Sequence, residues 1–305
     1  MQSISSKIIL WLIRHRHFFK GKLRPEIVDE TFSVEDFRAD VDRATGKRKL
    51  PKGVTSNPEN VAGLQGEWLV PEEAPEGKVL LYIHGGGFIS GSSATHRALV
   101  GKFAAGTRLR VLLFDYRLAP EHPYPAGLVD CVTAYSWLLE NGFTARDIVI
   151  GGESAGSTLT LSLLLVLKER GLPQPEGAFC ISPVTDLRCV APSFSTNAGR
   201  DLAPPGATEL WTRMYAGAHD AVTAPLSPLF GDFTSCCPLH ITVGTHEMHL
   251  DDCVNVAARA AQQGVDVTLR RWDGMVHAFP LMSPLFPEAR QAMTEICAFT
   301  NERLR

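Results

Sequence analysis

The chain lacks a surplus of charge of either sign: 30 Lys and Arg stand against 33 Asp and Glu, a formal net charge of −3. Binding to a phosphate backbone draws on a basic surplus, so a nucleic-acid partner has no compositional support and a small molecule is the expected one. Long hydrophobic runs are also missing. The run Ile8 to Ile13 is shorter than the roughly seven to fifteen residues of a secretory core and far short of the roughly twenty of a membrane span. Arg14, His15, Arg16 and His17 follow it, where a cleavage site needs small residues. The expectation is a cytoplasmic protein with no stable membrane insertion. Lys7 to Arg24 interleaves apolar and cationic residues, a pattern compatible with weak surface association, but its apolar face is expected to pack on the body of the protein.

Cysteine is scarce and unordered. The seven (Cys131, Cys180, Cys189, Cys236, Cys237, Cys253, Cys297) are odd in number and contain no Cys-x-x-Cys pair, which argues against a disulfide framework, a redox dithiol and a structural zinc site. They read as small buried apolar side chains in a reducing compartment. Nothing in the sequence explains why Cys236 and Cys237 are adjacent. Internal repeats and low-complexity tracts are absent too.

What is present is core material: 305 residues, 45% of them hydrophobic, the length of one large domain or two small ones and enough for a full core without disulfide staples or metals. From about residue 78, short apolar runs alternate with helical patterns. Val79–Ile83, Val111–Phe114, Ile148–Ile150, Ala178–Ile181, His240–Val243 and Val267–Leu269 have strand length, and most are continuously apolar, as in strands buried on both faces. Helical candidates lie between them at Thr95–Ala105, Leu128–Glu140, Ala155–Arg170, Asp251–Gln263 and Pro287–Arg303. Such alternation predicts an α/β fold, a mostly parallel central sheet flanked by helices. Two stretches break it: residues 1–45, and residues 187–225 with a short helix around Glu209–Tyr215. They read as two cap segments over one pocket, inserted beside core parts at 46–186 and 226–305.

Gly152-Glu153-Ser154-Ala155-Gly156 follows the Ile148 strand and opens a long apolar helix. A serine in a sharp strand-to-helix turn needs small neighbours, and its hydroxyl projects above the carboxyl edge of the sheet. His84-Gly85-Gly86-Gly87-Phe88 follows the first strong strand. Three successive glycines cost chain entropy and imply close approach of something to the backbone. Amides of Gly86 and Gly87, with Gly85 as a further candidate, joined by Ala155, could stabilise an oxyanion, while His84 reads as a loop-holding residue. A serine needs a base, and His277, in the loop after the last strand, is the candidate. The acid belongs after the preceding strand, where Glu247, Asp251 and Asp252 compete. His246-Glu247-x-His249 resembles a metal motif only superficially, since its histidines are three apart rather than four, and no metal is expected.

These motifs, together with the run Asp115-Tyr116-Arg117-Leu118-Ala119-Pro120-Glu121-His122-Pro123-Tyr124-Pro125-Ala126, resemble the hormone-sensitive-lipase-like (bacterial family IV) carboxylesterases of the α/β-hydrolase fold, in the family's order. The resemblance implies Ser154 as nucleophile, His277 as base, Gly86, Gly87 and Ala155 as oxyanion donors and the first carboxylate of the acidic segment as the acid. That favours Glu247, with Asp251 as the alternative. The family commonly carries Asp in place of both Glu247 and Glu153. Glu153 is expected to be structural, and Arg117 is expected to pair with Asp115.

The implied activity is hydrolysis of short- to medium-chain carboxylic esters through an acyl-enzyme, with no cofactor, by a monomer or homodimer. A pocket roofed by Trp11, Phe18, Phe19 and Trp211 would suit such chains. The same triad would serve an amidase or carbamate hydrolase. A non-catalytic small-molecule receptor on this fold is the other alternative, and retention of His277 argues against it.

Overall fold

The computed structural model describes residues 2–15, 28–29, 31–46 and 48–305. In chain order come α1 (Ile4–Arg14), α2 (Val34–Thr45), β1 (Val54–Val61), β2 (Leu64–Pro71), β3 (Val79–Ile83), α3 (Ser93–Thr107), β4 (Arg110–Phe114), α4 (Ala126–Glu140) and β5 (Ile148–Glu153). There follow α5 (Ala155–Glu169), β6 (Gly177–Ile181), α6 (Pro192–Thr196), α7 (Ala207–Ala216), β7 (Leu239–Gly244), α8 (Leu250–Gln262), β8 (Val267–Trp272) and α9 (Pro287–Arg303).

One sheet holds all eight strands in the order β1-β2-β4-β3-β5-β6-β7-β8. β2 runs antiparallel to both neighbours and every other pair from β4 to β8 is parallel. Every residue of β3, β5, β6 and β7 is buried, which is why these strands read as unbroken apolar runs. Alternate side chains serve two cores. Leu81, Ile83, Ile150 and Ile241 pack with Leu128 and Tyr135 of α4, Leu159 and Leu163 of α5 and Val256 of α8. Leu80, Tyr82, Val149 and Phe179 pack with Val100 and Phe103 of α3 and with Ile296 and Phe299 of α9. A third cluster joins Leu10 of α1 to Met275, Val276 and Phe279 in the loop after β8.

The alternation that predicted the parallel sheet is present, and α7 matches the short helix expected around Glu209–Tyr215. The β1–β2 hairpin was not anticipated. β1 is an edge strand with polar residues and Pro58 along it, and its turn is Ala62-Gly63, both at positive φ, without the Asn-Gly or Asp-Gly pair that announces such turns. In the amino-terminal helical stretch, the described part is α1; Phe18 and Phe19 lie outside the described residues. Leu10 is buried as expected, whereas Ile4, Ile8, Trp11 and Leu12 are exposed. Among the described residues no helix is long and apolar enough to cross a membrane.

Helix α5 positions the site. Its residues from Ala155 to Leu167 are all buried, so it runs through the interior rather than along a surface. Its start lies hard against β3: a Cβ added at Gly156 would stand 2.0 Å from the Ile83 carbonyl oxygen and 2.6 Å from that of His84. Both are backbone atoms with nowhere to move. Gly156→Ala is therefore expected to destabilise the fold by about 1–3 kcal/mol. Gly199→Ala, with nothing within 4 Å of the new methyl, should stay within about 0.5 kcal/mol of the parent. Urea unfolding midpoints of the two variants check this, and equal midpoints would contradict it.

Candidate active site

Ser154 sits between β5 and α5 with φ 54° and ψ −124°, a conformation that a non-glycine residue holds only at a cost of about 1–3 kcal/mol. Its surroundings enforce the turn. The Ser154 amide donates to the Ile181 carbonyl at 2.8 Å, and the Ser157 hydroxyl donates to the Gly152 carbonyl at 2.6 Å. Gly152 admits no side chain, since a Cβ there would lie 2.6 Å from the Ile83 carbonyl oxygen. Ser154 itself is partly exposed, so the strain holds a reachable hydroxyl at the carboxyl edge of the sheet.

The glycine loop after β3 is held by Glu153. This buried carboxylate accepts the Gly85 amide at 2.7 Å, the Tyr82 hydroxyl, and His96 Nε2 at 3.1 Å. Burial alone would raise its pKa, but the bonds from His96, Tyr82 and Gly85 outweigh burial and hold it below the ordinary value. Glu153 thus has the structural role expected of it. The Gly85 amide, by contrast, is already engaged, which removes Gly85 from the candidate oxyanion donors. Gly86 and Gly87 have φ 116° and 64°, and among the described residues their amides donate to no other protein group. The Ala155 amide opens α5, where a helix leaves its first donors unpaired. His84 is neutral: burial pushes it down to about 3, and it stacks on Tyr116 and binds the Gly85 carbonyl through Nδ1.

His277 and Glu247 meet, with His277 Nδ1 3.3 Å from Glu247 Oε2. Glu247 is fully buried, and its other oxygen accepts the Gly244 amide at 2.6 Å. Burial opposes the charged form of His277, yet the hydrogen bond and charge of Glu247, with the charges of Asp201 and Glu153, prevail and raise its pKa. Asp251 is elsewhere, accepting the Ser193 amide at 2.8 Å from the first turn of α8. Ser154 and the His277 loop hang from adjacent residues: Ile181 takes the Ser154 amide at 2.8 Å, and the hydroxyl of Ser182 takes the amide of Ala278 at 3.1 Å.

Three further polar side chains support this pair. Asp201, buried between α6 and α7, accepts the amides of His277 at 2.9 Å, Met248 at 2.8 Å and Leu202 at 2.8 Å. It ties the histidine loop to the loop bearing Glu247. Asn197 donates to the Thr245 and Glu247 carbonyls. His249 lies edge-on to His277, with ring centroids 4.8 Å apart, and its Nδ1 faces the Ser182 carbonyl at 3.1 Å. Burial, then the neighbouring His277, pushes His249 down to about 4, so it is a neutral imidazole with Nδ1–H donating. His246 turns away to Arg14, 3.0 Å from its guanidinium. Asp201 and Asn197 lie in no recognisable motif, so no local signal announced them, and His249 stood out only through its spacing from His246, not for this contact.

Two further expectations are corrected. Arg117 pairs with Asp130 in α4 through its amide and guanidinium, not with Asp115, which instead accepts the amide of Ser93. Four residues into α4, Asp130 faces back to the turn where Arg117 lies, which sequence proximity to Asp115 conceals. Trp11 is exposed, and among the described residues its ring stacks on His15 rather than on the loops that carry Ser154 and the glycines. Trp211 does lie over the loop: a Cβ at Gly87 would fall 2.5 Å from its ring, which also packs on Phe37 and Phe32.

Asp201→Ala is expected to lower kcat by about 10- to 100-fold by loosening His277, with little change in KM. With His277 as the expected base, which works in its neutral form, loss of the Asp201 charge should also move the acidic limb of the pH profile to lower pH. Asp201→Asn, which keeps one acceptor oxygen, should recover part of kcat. An unshifted limb together with full turnover in the alanine variant would refute the positioning role.

Comparison with known proteins agrees with this architecture. The model of a family described as having the alpha/beta hydrolase fold matches residues 80–281. The chain is similar to an acetyl-hydrolase of Streptomyces hygroscopicus, 34% identical over 87% of this chain and 89% of that one. It is also similar to an esterase of Acinetobacter venetianus, 36% identical over 81% of this chain and 82% of that one. Among known structures, an esterase/lipase from an uncultured bacterium superimposes with a TM-score of 0.92 at 34% identity, covering 99% of each chain. An esterase from the bacterial hormone-sensitive lipase family gives 0.90 at 34% identity over 100% of each. With its sheet, its elbow and its glycine loop alike in place, the chain belongs to the α/β-hydrolase family, in the hormone-sensitive-lipase-like carboxylesterase branch.

Proposed function

We propose that this carboxylic ester hydrolase cleaves short- to medium-chain esters through an acyl-enzyme formed on Ser154. The observation that carries the reading is the strained, reachable serine at the end of β5, bonded to Ile181, together with the Glu247–His277 pair, whose histidine loop is bonded to the adjacent Ser182. In neutral His277, Nδ1–H donates to Glu247 and the lone pair is on Nε2. That nitrogen takes the Ser154 proton as Oγ attacks the ester carbonyl. Amides of Gly86, Gly87 and Ala155 receive the oxyanion charge, and His277 then returns the proton to the departing alkoxide. A water, deprotonated by the same imidazole, attacks the acyl-enzyme and releases the acid.

The name of one relative, an esterase, supports an ester substrate, while that of the acetyl-hydrolase specifies the acyl group and not the bond cleaved. We read α2 with the segment 187–225 as a cap, because Phe37 and Trp211 meet over Gly87 and Arg38 reaches the loop beneath. Arg38 binds Glu121 at 2.8 Å and the carbonyls of Ile89 and Ala119. Its guanidinium holds the Glu121 carboxyl at about 2, so this strap persists through ordinary pH. The seven cysteines are all unpaired, in keeping with a reducing, cytoplasmic setting.

Ser154→Ala should reduce turnover of a short-chain nitrophenyl ester by about 10⁴- to 10⁶-fold. Glu247→Gln should cost about 10⁴-fold and move the acidic limb to lower pH, since the charge that raises His277 is gone. Retained turnover in the serine variant would refute the assignment. Trp211→Ala opens the wall beside Gly87 and should raise the octanoate-to-acetate ratio of kcat/KM by at least about tenfold. An unchanged ratio would show that the indole does not bound the acyl site.

A further inference from the structure

The geometry points to an inhibitory zinc site made of Glu247, His249 and His277, in which the ion captures the catalytic base. The proposal rests on the role given to His277 above. The three side chains each offer one donor atom, all within 4.8 Å of one another. Sequence spacing argued against a metal because it considered His246 and His249 on one helix. The fold replaces His246 with His277, brought in from the loop after β8.

An independent feature marks the site. His249 is 5% exposed, and its Nε2 is buried with no hydrogen-bond partner. Because Nδ1–H donates to the Ser182 carbonyl, the lone pair of the neutral ring is on that unpartnered nitrogen. A buried acceptor left without a donor is unfavourable, and a cation would satisfy it. Two imidazoles and a carboxylate form a donor set that suits Zn²⁺ and not Mg²⁺ or Ca²⁺. Access is through His277, whose side chain is 19% exposed while that of Glu247 is wholly buried.

Tetrahedral zinc with bonds of about 2.1 Å places its ligands about 3.4 Å apart. Glu247 and His277 already have that spacing at 3.3 Å, whereas the three donor atoms together spread to 4.8 Å, so binding draws the His249 ring inward, which favours a reversible, moderate-affinity site over a permanent structural one. A neutral imidazole has one lone pair. When zinc takes it, the other ring nitrogen carries the proton and His277 has no site for the serine proton. No covalent step is involved, and a chelator reverses the block.

The test is hydrolysis of p-nitrophenyl butyrate against ZnCl₂ or MgCl₂, with EDTA reversal, for wild type, His249→Gln, His249→Leu and the control His246→Gln. Melting curves establish which variants are folded. Zinc, not magnesium, is expected to inhibit wild type and His246→Gln in the micromolar range. The folded His249 variants should need at least about tenfold more zinc. Co²⁺ bound to the wild type should give the visible absorption of a four-coordinate ion, lost in the His249 variants and in His277→Ala. Equal zinc sensitivity with and without His249, or no inhibition of wild type at millimolar zinc, would overturn the site. If the wild type has no esterase activity, the proposed reaction fails, and the Co²⁺ spectra alone decide the site.

Discussion

The contact between the first turn of α5 and the end of β3 is the constraint on which the site depends. Gly156 lies against the Ile83 and His84 carbonyls so closely that no side chain fits. That approach forces the chain to leave β5 at an acute angle, which puts Ser154 into its strained conformation and the Ala155 amide beside it. It also sets the glycine loop, which continues from Ile83 and His84, against the same turn. One packing requirement thus brings together the reactive hydroxyl and the donors proposed for its oxyanion. The burial of α5 from Ala155 to Leu167 resists the strain, because relaxing the turn would lift a buried, largely apolar helix off the sheet.

Around that contact, buried carboxylates divide the work. Glu153 is saturated by Tyr82, His96 and the Gly85 amide, so its charge is spent holding the glycine loop. Glu247 has one oxygen fixed by the Gly244 amide and the other turned to His277. Asp201 receives backbone amides from both loops that carry the Glu247–His277 pair, which fixes their relative position through main chain rather than side chain. The extra methylene of glutamate over the aspartate common in the family is absorbed here, since Glu247 still reaches His277 while bonding its own loop.

How much of this was legible in the sequence follows from how local each signal is. β3, β5, β6 and β7 announce themselves because burial on both faces makes their runs mostly apolar, and the elbow is written in five consecutive residues. The hairpin of β1 and β2 was not legible, since an edge strand exposed along one side is free to be polar. Asp201, Asn197 and His249 act through backbone groups or rings of residues far along the chain, and a single sequence carries no mark of such contacts. Arg117 misled for a related reason. Asp115 is its near neighbour in sequence, but Asp130 is its neighbour across the turn into α4. The third glycine misled differently, because a run of three equivalent letters hides that the Gly85 amide is already bonded to Glu153 while those of Gly86 and Gly87 are left open.

The central claim is that one hydroxyl, Ser154, is made nucleophilic by His277. Its most direct test is mass spectrometry of the protein after brief exposure to a nitrophenyl phosphonate ester, with the adduct located by peptide mapping. The account predicts one phosphonyl group per chain, on the peptide containing Ser154, released nitrophenol in equal amount, and a rate of labelling that collapses in His277→Ala. Label on another residue while Ser154 stays free and ester hydrolysis is lost, or labelling of Ser154 at an undiminished rate without His277, would contradict it.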